Sequence, residues 1–256
     1  MGWDRNIIIK SQPEIALMRQ AGRINALALA AVRDNIRPGI STLELDGIAA
    51  EVLHKHGAQP AFLGVPGAYP YPATTTISLN DELVHGIPGK RKLRAGDIVS
   101  VDCGTIFEGF VGDSAFTIGV GEISKEAQRL IEVTEKALYI GIDQLRPGKR
   151  VGDVGHAIEK YVEAQGYFLT RVYTGHGVGR QMWEGPQVPN YGVPGRGIVF
   201  RPGMTIALEP MVLVCTAETR VLADQWTVAS KDGSLTAHFE HSVAITQDDP
   251  FILTLP

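Results

Sequence analysis

Residues 94–102 read RAGDIVSVD and residues 201–209 read RPGMTIALE, and the two stretches follow one pattern. Each begins with Arg-x-Gly, continues through a short, mainly apolar run, and ends on a carboxylate. The apolar run predicts a buried strand, and a carboxylate at the end of a buried strand loses free energy on leaving water unless it finds a partner. The same arrangement at two places indicates a site built from a duplicated unit.

The sequence before each of these strands is also duplicated. In the first half, helical spacing of apolar residues predicts helices over 13–35 and about 41–56, on either side of an Arg-Pro-Gly break. In the second half, the same reasoning predicts helices over 124–145 and about 152–165, again on either side of Arg-Pro-Gly. The two breaks begin 109 residues apart, so the repeat covers most of the chain.

This order of elements predicts an α+β fold. Two helices followed by antiparallel strands, repeated once, indicate a curved central sheet with helices on one face and a pseudo-two-fold relation between the halves. We expect those halves to span about 10–120 and 121–250. No linker separates them, so a single domain over residues 1–256 is expected. A site made by both halves would lie near the pseudo-two-fold axis, on the open side of the sheet.

The composition is that of an ordinary globular protein. Of 256 residues, 44% are hydrophobic and 20% are charged, with a net charge of -4. This charge gives no basic surface for nucleic acid or membranes. We find no signal peptide and no apolar run long enough for a membrane span, so we expect a soluble cytoplasmic protein, with a monomer as the default.

Four carboxylates and one histidine are the candidate site residues. A strand over 98–104, a connection at about 106–109 and a strand over 110–118 form a predicted hairpin that we expect to set Asp102 opposite Asp113. Like charges directly opposed destabilise a sheet, and a cation between them turns the repulsion into coordination. The second half is expected to repeat this arrangement. The complete set is Asp102, Asp113, His176, Glu209 and Glu240.

These residue types indicate a metal site. Any one acid is more often a solvated residue at a strand end than a ligand, but four at duplicated positions favour a site. Carboxylates with an imidazole suit hard or borderline divalent ions such as Mn, Fe or Co. Two such ions about 3.5–4 Å apart can share and activate a water molecule.

The sequence supports a role in the site more strongly for some histidines than for others. His176 lies between Gly175 and Gly177, which allow close backbone approach, and is a better ligand candidate than an ordinary structural histidine. His85, in NDELVHGIPG, is equally well a surface residue or a substrate contact. His238 shares the face of Glu240 if the strand alternates regularly.

Six blocks of the chain resemble type I methionine aminopeptidases. They are SLNDELVHGIPG, GDIVSVDCG, FVGDSAFTIGVG, TGHGVGR, PGMTIALEPMV and DGSLTAHFEHSVAIT, in the order of that family and over about residues 10–248. The resemblance implies the "pita-bread" fold and two divalent ions (Mn, Fe, Co or Zn, with the identity open). It also implies removal of the initiator methionine from nascent proteins whose second residue is small.

The resemblance also assigns roles to individual residues. It implies that the five candidate ligands hold the ions, with Asp113 and Glu240 as bridging ligands. Glu209 then also acts as the general base on the water shared by the ions, and His85 contacts the scissile peptide. The substrate pocket is implied to include Tyr71, Thr76, Met182, Trp183 and Trp226.

One position departs from the family. The family pattern resembles GHGxGRxxHExP, whereas this chain reads GHGVGRQMWEGP, with Trp183 where the second histidine is expected. An indole donates one hydrogen bond and does not titrate. Trp183 therefore supplies a substitute donor, narrows the cleft or weakens the enzyme. The alternatives are an aminopeptidase of shifted, X-Pro specificity or a non-catalytic binder of peptide N-termini. The expected partners are nascent N-termini, and transient ribosome association stays open.

Overall fold

The computed structural model describes residues 7–256, so residues 1–6 of the expected single domain lie outside the described part. Within that part are four helices and fifteen short or long strands. The helices are α1 (Gln12–Asn35), α2 (Thr42–Lys55), α3 (Lys125–Ile142) and α4 (Val151–Ala164). The strands are β1 (Gln59–Pro60), β2 (Thr75–Leu79), β3 (Glu82–Val84), β4 (Ile98–Phe107), β5 (Phe110–Gly119), β6 (Phe168–Leu169), β7 (Gly175–Gly177), β8 (Glu184–Val188), β9 (Thr205–Leu208), β10 (Met211–Leu213), β11 (Thr219–Val221), β12 (Val228–Ser230), β13 (Thr236–His238), β14 (Glu240–Ala244) and β15 (Phe251–Ile252).

The four predicted helices are confirmed, with ends shifted by a few residues. Helix α2 begins after Ser41, whose hydroxyl accepts from the backbone N–H of Glu44 at 3.2 Å while its own N–H donates to the Glu44 carboxylate at 2.8 Å. Helix α3 begins after Ser124, whose hydroxyl accepts from the Ala127 N–H at 3.1 Å. It ends at Ile142, short of the predicted residue 145. Serine caps therefore set the start of the second helix in the first half and of the first helix in the second half.

The central sheet joins the two halves. It has nine strands in the order β1-β4-β5-β14-β9-β7-β8, with β2 beside β4 and β15 beside β14. The pairing of β5 with β14 is antiparallel and connects the first half to the second. Two three-stranded sheets, β13-β10-β6 and β11-β12-β3, lie outside this path. The α+β class is confirmed.

One hydrophobic cluster extends across both halves. It includes Leu29 and Leu45 from the first helix pair, Leu138 and Ile158 from the second, and Val243 of β14, all buried. This continuity supports the expectation of a single domain, which stays a prediction. In residues 7–256 no helix is long and apolar enough to cross a bilayer.

Helix α1 approaches the sheet unusually closely because two glycines meet. A Cβ on Gly112 of β5 would lie 2.6 Å from the backbone N of Gly22, a distance that real Cβ atoms do not reach. The absence of a side chain at Gly112 lets α1 lie directly against the strand that carries Asp113, and its absence at Gly22 makes room for the Leu253 carbonyl. The backbone of the site is thus supported from behind by a helix.

Candidate metal centre

The first two candidate ligands lie on one tight hairpin. A two-residue turn at Glu108 and Gly109, both with positive φ, joins β4 and β5 and pairs Phe107 with Phe110. This register sets Asp102 opposite Ala115 and Gly104 opposite Asp113. The prediction that the two acids lie directly opposite each other is wrong, because the connection is shorter than expected. An offset of two residues still keeps both on one face, as diagonal neighbours.

The second pair of acids lies on neighbouring strands that are not a hairpin. Leu208 of β9 pairs with His241 of β14, so Glu209 leaves β9 beside Glu240. The chain between these strands forms β10 to β13. Glu240 in turn pairs with Ala115, which is also the residue opposite Asp102. The register therefore aligns three acids across four strands, around one small side chain.

His176 and Asp113 belong to the neighbouring row of the same sheet. His176 of β7 pairs with Ala207 of β9, and Ala207 pairs with Ser242 of β14. Ser242 contacts Asp113 through its hydroxyl, which accepts from the Asp113 N–H at 3.0 Å and donates to the Asp113 carbonyl at 2.9 Å. The two rows lie two residues apart, so all five predicted ligands face one another.

The structure brings these donors within reach of shared cations. Ligand atoms of Asp113, His176 and Glu240 lie within 4.8 Å of one another. The Nε2 atom of His176 is 3.9 Å from Asp113 Oδ2 and 3.5 Å from Glu209 Oε1. Asp102 lies outside the most compact group of three but on the same face. Each of the five predicted ligands is therefore part of one cluster.

The donor set fits divalent cations because it holds buried oxygens without hydrogen bonds. Among the described residues, Oδ1 of Asp102, Oδ1 of Asp113 and Oε1 of Glu240 have no hydrogen-bond partner. Buried polar atoms are nearly always satisfied, and unpaired ones point to a missing ion or water. Carboxylate oxygens beside one imidazole are the ligands that hard and borderline divalent ions take. A divalent cation would satisfy all three oxygens together.

The electrostatics point the same way. Burial raises the pKa of Asp113 to about 7. It also raises the pKa values of Asp102, Glu209 and Glu240 well above their usual range, with repulsion from neighbouring carboxylates adding to the effect. Burial lowers the pKa of His176 to about 4, which leaves the imidazole neutral and able to bind a metal. Without a cation, the cluster would hold protons near neutral pH.

Two further histidines adjoin the cluster. Nε2 of His238 lies 3.6 Å from Glu209 Oε2 and 4.0 Å from Glu240 Oε2, so His238 does face the acids as alternation predicts. Burial, with a smaller contribution from His85, lowers the pKa of His238 to about 3. Burial also lowers the pKa of His85 to about 4. His85 has a φ of 62°, a rare conformation for a non-glycine residue, and its ring centroid is 5.7 Å from that of Tyr173.

An apolar cavity of about 100 Å³ opens from the cluster. All six residues that the resemblance assigns to substrate line it, together with the five predicted ligands. Phe62 and Val65 complete its wall, and Val65 is a member that sequence reasoning missed. The six residues are Tyr71, Thr76, His85, Met182, Trp183 and Trp226.

Two loops close the apolar end of this cavity. The Trp226 indole N–H donates to the Tyr69 carbonyl at 3.2 Å, and the Tyr69 hydroxyl donates to the Asp224 carbonyl at 2.8 Å. Gly67 lies so close to the indole that a Cβ there would be 2.4 Å from a ring carbon. Tyr71 turns its hydroxyl away, donating to the carbonyls of Thr75 and Gly86. The cavity therefore presents aromatic carbon.

A buried asparagine behind the first hairpin is another residue that sequence reasoning missed. Asn25 of α1 has no exposed surface. Its amide nitrogen donates to the carbonyls of Cys103 and Gly112, and its carbonyl accepts from the Ser114 hydroxyl. These three residues are neighbours of Asp102 and Asp113 in sequence. A lone asparagine in the apolar run INALALAA was the available signal.

Comparisons with known proteins agree with this geometry. Residues 16–247 match the model of metallopeptidase family M24. A methionine aminopeptidase of Clostridium perfringens is 47% identical over 249 residues, which cover 97% of this chain and 99% of that protein. The crystal structure of a methionine aminopeptidase from Thermotoga maritima has a TM-score of 0.95 and 44% identity, covering 98% of this chain and 100% of that chain. The expected pita-bread fold is confirmed.

More distant relatives share the fold only. A prolidase from Pyrococcus horikoshii has a TM-score of 0.78 at 24% identity and covers 96% of this chain, which spans 63% of that protein. Identity at this level carries no inference about activity. The X-Pro alternative and the non-catalytic alternative are not favoured, because the relatives with high identity along the whole chain are methionine aminopeptidases.

Proposed function

The chain belongs to metallopeptidase family M24, among its methionine aminopeptidases, and from this premise we propose that it removes the initiator methionine from nascent polypeptides with a small second residue. One observation carries the proposal: buried carboxylate oxygens without partners face a neutral imidazole at the mouth of an apolar cavity. Such a site binds cations on one side and an apolar side chain on the other. An N-terminal methionine fits such a site, because its backbone polar groups can face the cations while its apolar side chain enters the cavity.

We assign two divalent ions to the cluster, with Mn, Fe, Co or Zn as candidates. Asp113 and Glu240 would be shared by both ions, since their ligand atoms lie within 4.8 Å of each other and of His176. Asp102 would complete one shell, while His176 and Glu209 would complete the other. When bound, such ions supply Lewis-acid polarisation of the attacking water and of the scissile carbonyl. The choice among these metals depends on availability, since carboxylates and imidazole discriminate poorly between them.

Glu209 is the proposed general base. Its side chain is 14% exposed, more than those of Asp113 and Glu240, so it borders the substrate space as well as the cluster. It would take the proton of the attacking water and pass it to the departing amine of the second residue. His238, 3.6 Å from its carboxylate, would hold Glu209 in this position. This proton transfer requires a carboxylate that lies in the cluster and is also within reach of the substrate.

His85 is proposed to orient the scissile peptide. Its pKa of about 4 keeps the ring neutral at physiological pH, so it can donate or accept a single hydrogen bond. Its strained φ of 62° places a non-glycine residue where backbone conformation is rarely populated, and such strain concentrates at functional sites. Tyr173 packs edge-on against the ring. This support would fix the ring plane.

The apolar cavity would take the methionine side chain. Tyr71 and Trp226 present a T-shaped aromatic pair with centroids 5.1 Å apart, and sulfur–aromatic contacts favour a thioether there. Met182 and Phe62 add further apolar surface, and Thr76 lies beside Asp102 across β2 and β4. Because the two loops close the end of the cavity, longer or charged side chains would be excluded.

Turnover of a peptide such as Met-Ala-Gly tests this proposal directly. We expect hydrolysis that stops with a chelator and returns with Mn, Fe or Co. Glu209→Gln should lower kcat by about 10²–10⁴-fold, the range typical of general bases. Ala-Ala-Gly and Met-Lys-Gly serve as controls for the first and second residues. Absence of metal-dependent turnover of any N-terminal peptide would rule the proposal out.

The cellular setting follows from the substrate. We propose that nascent chain N-termini are the partners and that the protein acts in the cytoplasm, where such chains appear. A monomer is proposed because the site is complete within one chain: all five ligands and the cavity come from a single copy. Transient association with ribosomes is compatible with this role.

A further inference from the structure

A second cavity, of about 260 Å³, adjoins the metal cluster on the side away from the methionine pocket. The two cavities share His85, His176, Trp183 and Glu209. A peptide whose scissile bond lies at these shared residues has its first side chain in the methionine pocket. Its remaining residues then run into the second cavity. The second cavity therefore lies on the C-terminal side of the scissile bond.

The wall of the second cavity is uncharged beyond the residues that it shares with the first. Beyond the shared residues, its described lining consists of Val84, Val172, Tyr173, Thr174 and Met211, none of which is charged. Val172 is 69% exposed and Trp183 is 42% exposed, high values for apolar side chains beside an active centre. Exposed apolar groups that meet in a concave surface are typical of binding sites.

Trp183 is held rigidly although its ring is exposed. The preceding residue, Met182, is buried in the methionine pocket. The following residue, Glu184, is buried and forms an ion pair with Lys10 at 2.5 Å. Its carboxylate also accepts from the Gln181 N–H at 3.2 Å. With both neighbours buried, the backbone of Trp183 is fixed before a peptide binds, so less entropy is lost on contact.

We propose that Trp183 and this wall bind the side chain of the third substrate residue and select an apolar one. The inference rests on the proposed function, because it defines the third residue relative to the methionine that is removed. An apolar side chain would cover exposed indole and valine carbon, while an acidic one would lose water and face the Glu209 carboxylate. We expect kcat/KM to be about 3- to 10-fold higher for leucine than for glycine at the third position, a modest gain because only part of one side chain is buried.

A panel of Met-Ala-Xaa-Gly amides tests the selection, with Gly, Leu, Phe, Asp and Lys at the third position. The wild-type protein should favour Leu and Phe over Gly, and Gly over Asp. Trp183→Ala should bring the Leu-to-Gly ratio of kcat/KM close to one, and Trp183→Phe should retain most of it. Tyr139→Ala is the matched control, because Tyr139 is also 42% exposed but lines a different cavity on α3. That variant should keep the wild-type ratio.

A binding measurement separates this inference from the proposed function. The product-like peptides Ala-Leu-Gly amide and Ala-Gly-Gly amide are titrated calorimetrically into the protein, and we expect tighter binding of the first, with the difference lost in Trp183→Ala. If no methionyl peptide is hydrolysed, the proposed function fails, and the titration still decides the inference. Three results would each overturn the inference. The first is an equal kcat/KM for all third residues, and the second is an equal affinity of the two peptides. The third is a preference that Trp183→Ala leaves unchanged.

Discussion

The two halves of the molecule hold their acids on one face of the sheet by different means. In the first half, Asp102 and Asp113 lie on one continuous hairpin, backed by Asn25 of α1. The equivalent position 109 residues later is Thr134 of α3, whose hydroxyl donates to the Leu130 carbonyl of its own helix at 2.7 Å. The second half therefore has no corresponding bridge from helix to strand at this position.

The second half instead has an additional segment that lines the cavity. Between Glu209 and Glu240 lie the strands β10 to β13, and this excursion carries Trp226 into the wall of the apolar cavity and His238 against the acids. The first half connects its acid-bearing strands with two residues. The difference teaches that both halves kept their acids on the same face of the sheet, while only the first half supports them from a helix and only the second half adds strands that line the cavity.

Removing one acid from each half should have the largest effect and tests whether the halves share one centre. Asp113→Asn and Glu240→Gln each replace a proposed bridging carboxylate by a neutral amide. We expect each to weaken cation affinity by more than about 100-fold, beyond the 10- to 100-fold typical of outer contacts, and to abolish most turnover. Calorimetric titration with Mn²⁺ measures the affinity. Unchanged affinity in either variant would mean that its half does not contribute to the centre.

Substituting the two equivalent helix residues, Asn25 and Thr134, one at a time tests whether only the first half supports its acids from a helix. Asn25→Leu replaces a buried amide by an apolar side chain of similar size and removes its hydrogen bonds with Cys103, Gly112 and Ser114, so we expect a loss of about 2–5 kcal/mol in the free energy of unfolding. We also expect cation affinity of the folded protein to fall by about 10-fold, since the spacing of Asp102 and Asp113 relaxes. Denaturant unfolding and Mn²⁺ titration give the two quantities.

Thr134→Val is the matched control for this exchange. It removes a hydrogen bond within one helix, so stability should fall by about 1 kcal/mol or less and cation affinity should not change. If Asn25→Leu lowered stability but left the affinity at the wild-type value, Asn25 would be a purely structural residue.

The pH dependence of the metal-free protein sharpens the electrostatic side. The pKa of Asp113 rises from 3.8 to about 7 on folding, so the folded state keeps a proton that the unfolded state releases, and stability is lost as pH rises through about 7. The lowered pKa of His176 acts oppositely, but only between about 4 and 6.5. We therefore expect Tm to fall between pH 6.5 and 8 without metal. Saturating Mn²⁺ should remove this fall, and a Tm that rises over the same range in the metal-free protein would contradict the assignment.

A substitution where β14 of the second half meets β5 of the first should give the smallest effect. Ser242 of β14 makes two hydrogen bonds to the backbone of Asp113 in β5. Ser242→Ala leaves both groups unpaired, so we expect a loss of about 1–3 kcal/mol in stability and a fewfold loss in cation affinity. Ser114→Ala, on the adjacent residue of β5, provides a comparison within the first half. Equal affinity in all three proteins would show that this junction of β14 with β5 does not set the ligand geometry.

Several features could be read from the sequence because local physics determines them. Helical spacing and the Arg-Pro-Gly breaks place the helices, and the duplicated Arg-x-Gly strands identify the acids as a set. The glycines beside His176 mark it as a ligand candidate. Other features depend on contacts between distant segments. The facing of Asn25 and Gly112, 87 residues apart, has no local signature.

The register of the first hairpin shows where this boundary lies. The sequence determined that Asp102 and Asp113 lie on paired strands and on one face, because side chains alternate with a period of two. The tertiary structure decided that they are diagonal instead of opposite, because the turn closes with two residues. It also decided that Glu240 joins the row of Asp102 through Ala115 and that Trp183 lines two cavities, because strand order and the buried Lys10–Glu184 pair join segments that sequence spacing cannot relate.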